Sequence, residues 1–193
     1  MPQISSNSAL LVGCSLSVAR GFSAVGGVQG GEESYAAALT SLRLARMRIL
    51  AEASGARIAE AAGKGLGAFA TRRIAVHERV GEYTGECLTQ RDVDARYGPK
   101  ARSPELWTPA DAQWAATREA NAVGCSGNYI FQVDEDLYMD AEDLGAATWT
   151  RFLNHGSNPN LAIHSLAKGM DGKPKVGFEP PPPNHPPTHN PPP

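Results

Sequence analysis

Arg151 to Leu161 reads Arg-Phe-Leu-Asn-His-Gly-Ser-Asn-Pro-Asn-Leu, an apolar Phe-Leu step running straight into an Asn-His pair. A second polar cluster follows, broken by Pro159. Buried amide and imidazole groups are costly unless every donor and acceptor is matched. A strand-like apolar run ending in Asn154-His155 reads as one built to hold a polar ligand at its end. The plainer reading is a strand end followed by an Asn-Pro turn. The local residues leave both open.

The 193 residues suffice for one domain with a proper core and some additional sequence. A hydrophobic content of 41% with 20% charged residues fits a globular chain rather than a disordered one. The formal net charge of -2 supplies no overall positive field for nucleic acid or anionic membrane, and no basic run exceeds Arg72-Arg73. No apolar run approaches the length of a membrane span. Cys14, Cys87 and Cys125 are far apart, with no Cys-x-x-Cys pair. That argues against a disulfide scaffold or a Cys-rich zinc site.

Residues 1–33 are expected to be a disordered leader. Met1 to Gly31 carries no acidic residue and one base, Arg20, so a transit segment is the alternative. A helix is expected over 34–55: Tyr35, Ala38, Leu39, Leu42, Ala45 and Ile49 recur at spacings of three and four, and Gly55 would end it. Such a helix packs on the domain or faces a partner.

Short strands and glycines follow, so the fold expected is mainly β with short helices. Strands are expected at Arg57–Glu60, at Ala68–Ala70 and over Arg79–Leu88. A polar insert with helices at Asp92–Tyr97 and Pro109–Ala120 comes next. A hairpin is expected from Tyr129–Val133 and Leu137–Asp140 around the acidic turn 134–136, then a short helix over Glu142–Thr148 and a last strand at Val176–Phe178. Residues 179–193, almost all proline, asparagine and histidine, cannot form a core and are expected to be extended.

Gly63-Lys64-Gly65-Leu66-Gly67 lacks the spacing and the following helix of a dinucleotide loop, and lacks the Ser or Thr that a phosphate loop places after lysine. By itself it reads as a hairpin turn, or as a place where a ligand approaches the backbone. In fixed order after it come Val80-Gly81-Glu82-Tyr83-Thr84-Gly85-Glu86, Tyr129-Ile130-Phe131 and the Arg151–Leu161 segment. This series closely resembles the SET-domain protein-lysine methyltransferases. Lys64–Gly67 is similar to the family's first motif, Tyr83-Thr84-Gly85 to its Tyr-x-Gly, and Arg151–Asn160 to its Arg-Phe-Ile-Asn-His-Ser-Cys-x-Pro-Asn.

The resemblance implies a domain over 56–178, made of small curved β-sheets with a knot-like C-terminal crossing. It implies S-adenosylmethionine as cofactor, held by Lys64, Gly65, Leu66, Gly67, Arg151, Asn154 and His155. Tyr129 would line the junction of the cofactor and a lysine channel, as the catalytic-site tyrosine. Tyr83 would be structural. The implied partner is a protein substrate bearing a target lysine, such as a histone tail, with neither nucleic acid nor membrane. The implied location is the nucleus, or an organelle if residues 1–31 are a transit segment. The implied methyl transfer needs no metal.

Two departures qualify the resemblance. Gly156-Ser157 stands where the family has Ser-Cys. Glu179 is followed by prolines where a Glu-Leu-x-Phe-Asp-Tyr motif, with the family's main catalytic tyrosine, is expected. The expectation is therefore a SET domain incomplete at its C-terminus, with poor methyl transfer. The competing expectation is a non-catalytic module that keeps affinity for cofactor or peptide.

Overall fold

The fold was analysed in a computed structural model, which describes residues 11–12, 32–98, 104–166 and 168–182. The expected leader, apart from 11–12 and 32–33, and the expected tail beyond 182 lie outside the described residues. The chain order is β1 (Leu11–Val12), α1 (Glu32–Ala53), β2 (Ala56–Ala61), β3 (Gly65–Ala70), β4 (Gly81–Tyr83), β5 (Glu86–Thr89), α2 (Gln90–Arg96), α3 (Pro109–Ala120), β6 (Ile130–Asp134), β7 (Leu137–Asp140), β8 (Asn154–His155), β9 (Ala162–Leu166) and β10 (Lys175–Glu179). The strands form small sheets in the orders β2-β3, β4-β10-β9, β5-β7-β6 and β1-β8. All pairings are antiparallel except the last.

The β2-β3 hairpin closes with Ala61 opposite Gly65. Its turn places Gly63 at φ 72° and Gly65 at φ 69°, a left-handed region that glycine enters without strain. Ala56, Ile58, Ala68 and Ala70 bury the inner face, while Arg57 lies over the Phe69 ring on the outer one at 5.0 Å.

The single strand expected over Arg79–Leu88 is instead two strands in different sheets. Gly85 lies where they part: a Cβ there would sit 2.1 Å from the Asp140 carbonyl oxygen, so only glycine lets β7 approach this closely. The short helix expected at Glu142–Thr148 is also corrected. That stretch is turns, with Ala147 donating to the Asp143 carbonyl, and the helical turn is a 3-10 turn at Trp149–Phe152. Asp143 directs the earlier turn by accepting from the Gly145 amide at 2.7 Å. The hairpin, both helices of the insert and the last strand lie where expected, and β9 is additional, as is β1 within the stretch expected to be a leader.

The core is one cluster. Met47 and Ala51 of α1, Ile58, Ala68, Tyr83, Phe131, Met139, Trp149, Phe152, Leu153, Leu161, Val176 and Phe178 all belong to it. In α1 the buried face is Met47 and Ala51, not the Tyr35–Leu42–Ile49 stripe read from the sequence, which is exposed.

The insert docks through charge. Thr89 and Thr108 each head a helix with a reciprocal capping box, to Asp92 and Asp111. The Trp114 indole lies between the guanidinium groups of Arg96 and Arg118, at 4.7 and 4.4 Å, and donates to Glu86 at 3.0 Å. Arg118, buried, donates to the buried Asp140 carboxylate, which also accepts from the Tyr97 hydroxyl. These contacts pin α2 and α3 to β5 and β7.

Two outcomes follow. Asp140→Ala leaves Arg118 buried without its main counter-charge and should destabilise the fold by about 3 kcal/mol in urea titrations. Asp111 is held well below the ordinary carboxyl range, chiefly by hydrogen bonds from Arg91 and then from Thr108. Its folded pKa lies below its unfolded one, so its stabilisation is complete above about pH 4 and is lost as pH falls toward the folded value. Asp111→Asn should lower Tm at neutral pH and make its decline below about pH 4 shallower than that of the parent.

Candidate functional site

Strand β8 follows the buried 3-10 turn directly, so Asn154 and His155 emerge from the core at a fixed point. The turn is anchored by Thr148 and Thr150, whose hydroxyls both donate to the Glu82 carbonyl, the latter at 2.7 Å. The glycine hairpin lies over this strand. The Asn154 side-chain amide donates to the Leu66 carbonyl at 3.4 Å, and the Lys64 ammonium donates to the His155 carbonyl. A Cβ on Gly67 would sit 2.6 Å from the Asn154 amide nitrogen and 2.9 Å from Ala61 Cβ. Gly67 is therefore required by the approach of hairpin to strand, a contact between residues almost 90 positions apart.

Between these elements lies a cavity of about 220 Å³. Lys64, Arg151, Asn154 and His155 supply its polar wall, and Leu66, Tyr129, Phe131, Leu153 and Phe178 much of its apolar surface. Tyr83, Phe131 and Phe178 form a ring triangle with centroids 5.6, 6.4 and 6.5 Å apart, an arrangement favoured by the ring quadrupoles. The Tyr83 hydroxyl donates to the Tyr129 carbonyl at 2.7 Å, which also accepts from the Ala141 amide at 3.0 Å. Tyr83 thus serves to hold the backbone from which Tyr129 projects.

Arg151 is buried, and its guanidinium lies 3.6 Å above the centre of the Tyr129 ring while donating to the Glu142 carbonyl at 3.1 Å. Its Nε is buried with no hydrogen-bond partner among the described residues. An unmatched donor on a cavity-lining cation calls for an acceptor from a ligand or water. The cavity wall therefore combines cationic and amide groups with aromatic side chains. This pairing suits a ligand that carries a carboxylate and a positively charged, weakly hydrated group.

Of the residues singled out in the sequence, Lys64, Leu66, Tyr129, Arg151, Asn154 and His155 line one cavity. Gly65 and Gly67 are not on its wall: the first shapes the turn and the second makes room for Asn154. Sequence reading overlooked Asn128, Phe131, Thr150, Leu153 and Phe178, which also line it. Phe131 had a signal, since residues two apart on a strand share a face and Tyr129 was already chosen. Thr150 had none.

A profile of the SET domain matches residues 65–178, more than half of the chain. The chain belongs to the SET-domain family. Its small antiparallel sheets, short helices and single N-terminal helix accord with that membership. Among relatives, the H3 lysine-4 specific histone-lysine N-methyltransferase of Schizosaccharomyces pombe is 31% identical over 113 residues, covering 58% of this chain and 10% of the relative. The enzyme of the same name from Aspergillus oryzae is 25% identical over 120 residues, 62% of this chain and 8% of the relative. The variant-silencing SET domain-containing protein of Plasmodium falciparum is 28% identical over 99 residues, 50% and 3%. This SET domain thus spans a tenth or less of the length of those relatives.

Removing the Tyr83 hydroxyl tests the internal support of the cavity. Tyr83→Phe should destabilise the fold by about 1 kcal/mol in denaturant titrations, the usual net worth of one hydrogen bond.

Proposed function

We propose that this chain is an S-adenosylmethionine-binding domain of the protein-lysine methyltransferase type, with a lysine-bearing protein, such as a histone tail, as its partner. The domain would run over 56–178, with the helix and the flanking segments outside it. The supporting observation is the meeting of the glycine hairpin, the Asn154-His155 strand and an aromatic surface at one cavity. The site's donor set fits the cofactor. The cationic Lys64 and Arg151 can serve its carboxylate, the Asn154 and His155 polar groups its amine and base, and the Phe131 and Phe178 rings its sulfonium.

When bound, that cofactor supplies an electrophilic methyl on positively charged sulfur. The substrate lysine would accept that methyl as its neutral amine, its ammonium proton having passed to solvent water. Lysine titrates near ~10.4 in water, so the channel must favour the neutral amine. Dry walls and a neighbouring cation both act in that direction. Tyr129, clamped between its own carbonyl's two hydrogen bonds and the Arg151 guanidinium, would align amine and methyl, and alignment is a large share of such catalysis.

Glu179 and the prolines after it stand where the family's main catalytic tyrosine motif is expected, which favours weak or no turnover with binding retained. The same reading puts the protein in the nucleus, with an organelle as the alternative. Calorimetry with S-adenosylhomocysteine should register saturable binding. Asn154→Ala and Gly67→Val should each weaken it about tenfold or more, about 1.4 kcal/mol. Absence of affinity in folded protein would refute the proposal, while binding with rapid lysine methylation would overturn only the weak-turnover part.

A further inference from the structure

Helix α1 turns its apolar stripe away from the domain. Tyr35, Leu42 and Ile49 are 72%, 68% and 66% exposed, whereas Met47 and Ala51 on the opposite side are 2% and 0% exposed. Large residues at 35, 42 and 49 alternate with the exposed alanines 38 and 45 at steps of three and four, the spacing of a helix–helix seam. Along the axis the stripe runs about 21 Å, at ~1.5 Å per residue. A contiguous apolar surface of this kind marks an interaction site.

The pattern of sizes and charges identifies what covers it. In a parallel pair of identical helices, Ala38 and Ala45 would face their own copies, leaving voids, and Glu52 at the end of the seam would face another Glu52. Reversing one helix removes both faults. Tyr35 then meets Glu52, with its hydroxyl available to the carboxylate, Ala38 meets Ile49, and Leu42 meets Ala45. Every large side chain that falls on the seam sits over a small or polar one, and the two-fold axis repeats each contact. On the flanks, Arg46 would lie along Leu39 of the other copy, its stem on apolar surface and its head in water. Arg43 is engaged elsewhere, paired with Asp143 at 3.3 Å, so it adds no repulsion at the seam.

We propose that α1 is a self-association surface through which two copies of this chain pair antiparallel, with Ala38 of each against Ile49 of the other. Such a helix pair buries on the order of 1,000 Å² in total, at the low end for specific complexes, so a weak, concentration-dependent dimer is expected.

Sedimentation equilibrium on the full chain across the micromolar range should show the mass rising from one chain toward two. Leu42→Glu should hold it at one chain, with Tm equal to the parent's at dilutions where both are monomeric, since the residue is exposed in the monomer. Ala38→Ile crowds Ile49 and Ile49→Ala leaves a void, so each should weaken the dimer about tenfold or more. The double variant exchanges the sizes and should restore affinity to near the parental value. A mass of one chain at every concentration overturns the proposal, as does a dimer indifferent to Leu42→Glu. Failure of the double variant to recover overturns the antiparallel register. Circular dichroism that is unchanged among the variants keeps each result attributable to the seam.

Discussion

The stretch from Trp149 to Leu153 is buried and carries polar side chains, half-buried Thr148 and Asn154 flank it, and the rest of the fold is arranged around satisfying these groups. The two threonine hydroxyls share the Glu82 carbonyl, the arginine takes the Glu142 carbonyl, and the asparagine reaches the hairpin carbonyl of Leu66. Each of these acceptors is on a different element. Between them, Phe152 and Leu153 enter the common core. A polar run in this position ties separate small sheets together, because none of its donors can be left unmatched without a free-energy cost. One atom of Arg151, a residue that lines the cavity, is left over: its buried Nε has no partner among the described residues.

Small sheets bury little surface each, and this SET domain compensates with a second, electrostatic anchor. The insert between β5 and β6 attaches through Arg118, Asp140, Glu86 and Arg96 packed about Trp114, not through a broad apolar face. Asp140 also orients the chain after β7 by accepting from the Glu142 amide at 2.8 Å, and the Glu142 carbonyl in turn receives Arg151. The insert and the cavity are thus joined through Asp140 at the end of β7 and Glu142 just after it. Packing of Arg151 on Tyr129 carries the connection to the aromatic side of the site.

Much of this was legible in the residues. Gly63 and Gly65 announced the hairpin because their left-handed φ values exclude most side chains. The helix expected over Pro109–Ala120 is α3 with the same bounds, and the structure adds the Thr108–Asp111 cap that starts it. The aromatic and β-branched alternation at 129–133 announced β6. One strand reading failed for a tertiary reason. The Arg79–Leu88 run looks continuous, yet the approach of β7 at Gly85 divides it between sheets. For α1 the residues left packing on the domain and facing a partner both open, and the domain takes the face carrying Met47 and Ala51, because periodicity does not say which face finds the core.

The sequence by itself determined which residue types had to be gathered: an Asn-His pair, a glycine turn, a tyrosine strand, and an arginine ahead of the pair. Their identities and order sufficed because local conformation and side-chain chemistry are properties of the residue. Only the tertiary structure decided that Gly67 abuts Asn154, that Arg151 stacks on Tyr129, and that Phe178 from the last strand closes the aromatic triangle. Those contacts join positions tens of residues apart, and their geometry is set by how the small sheets pack, which no local pattern encodes.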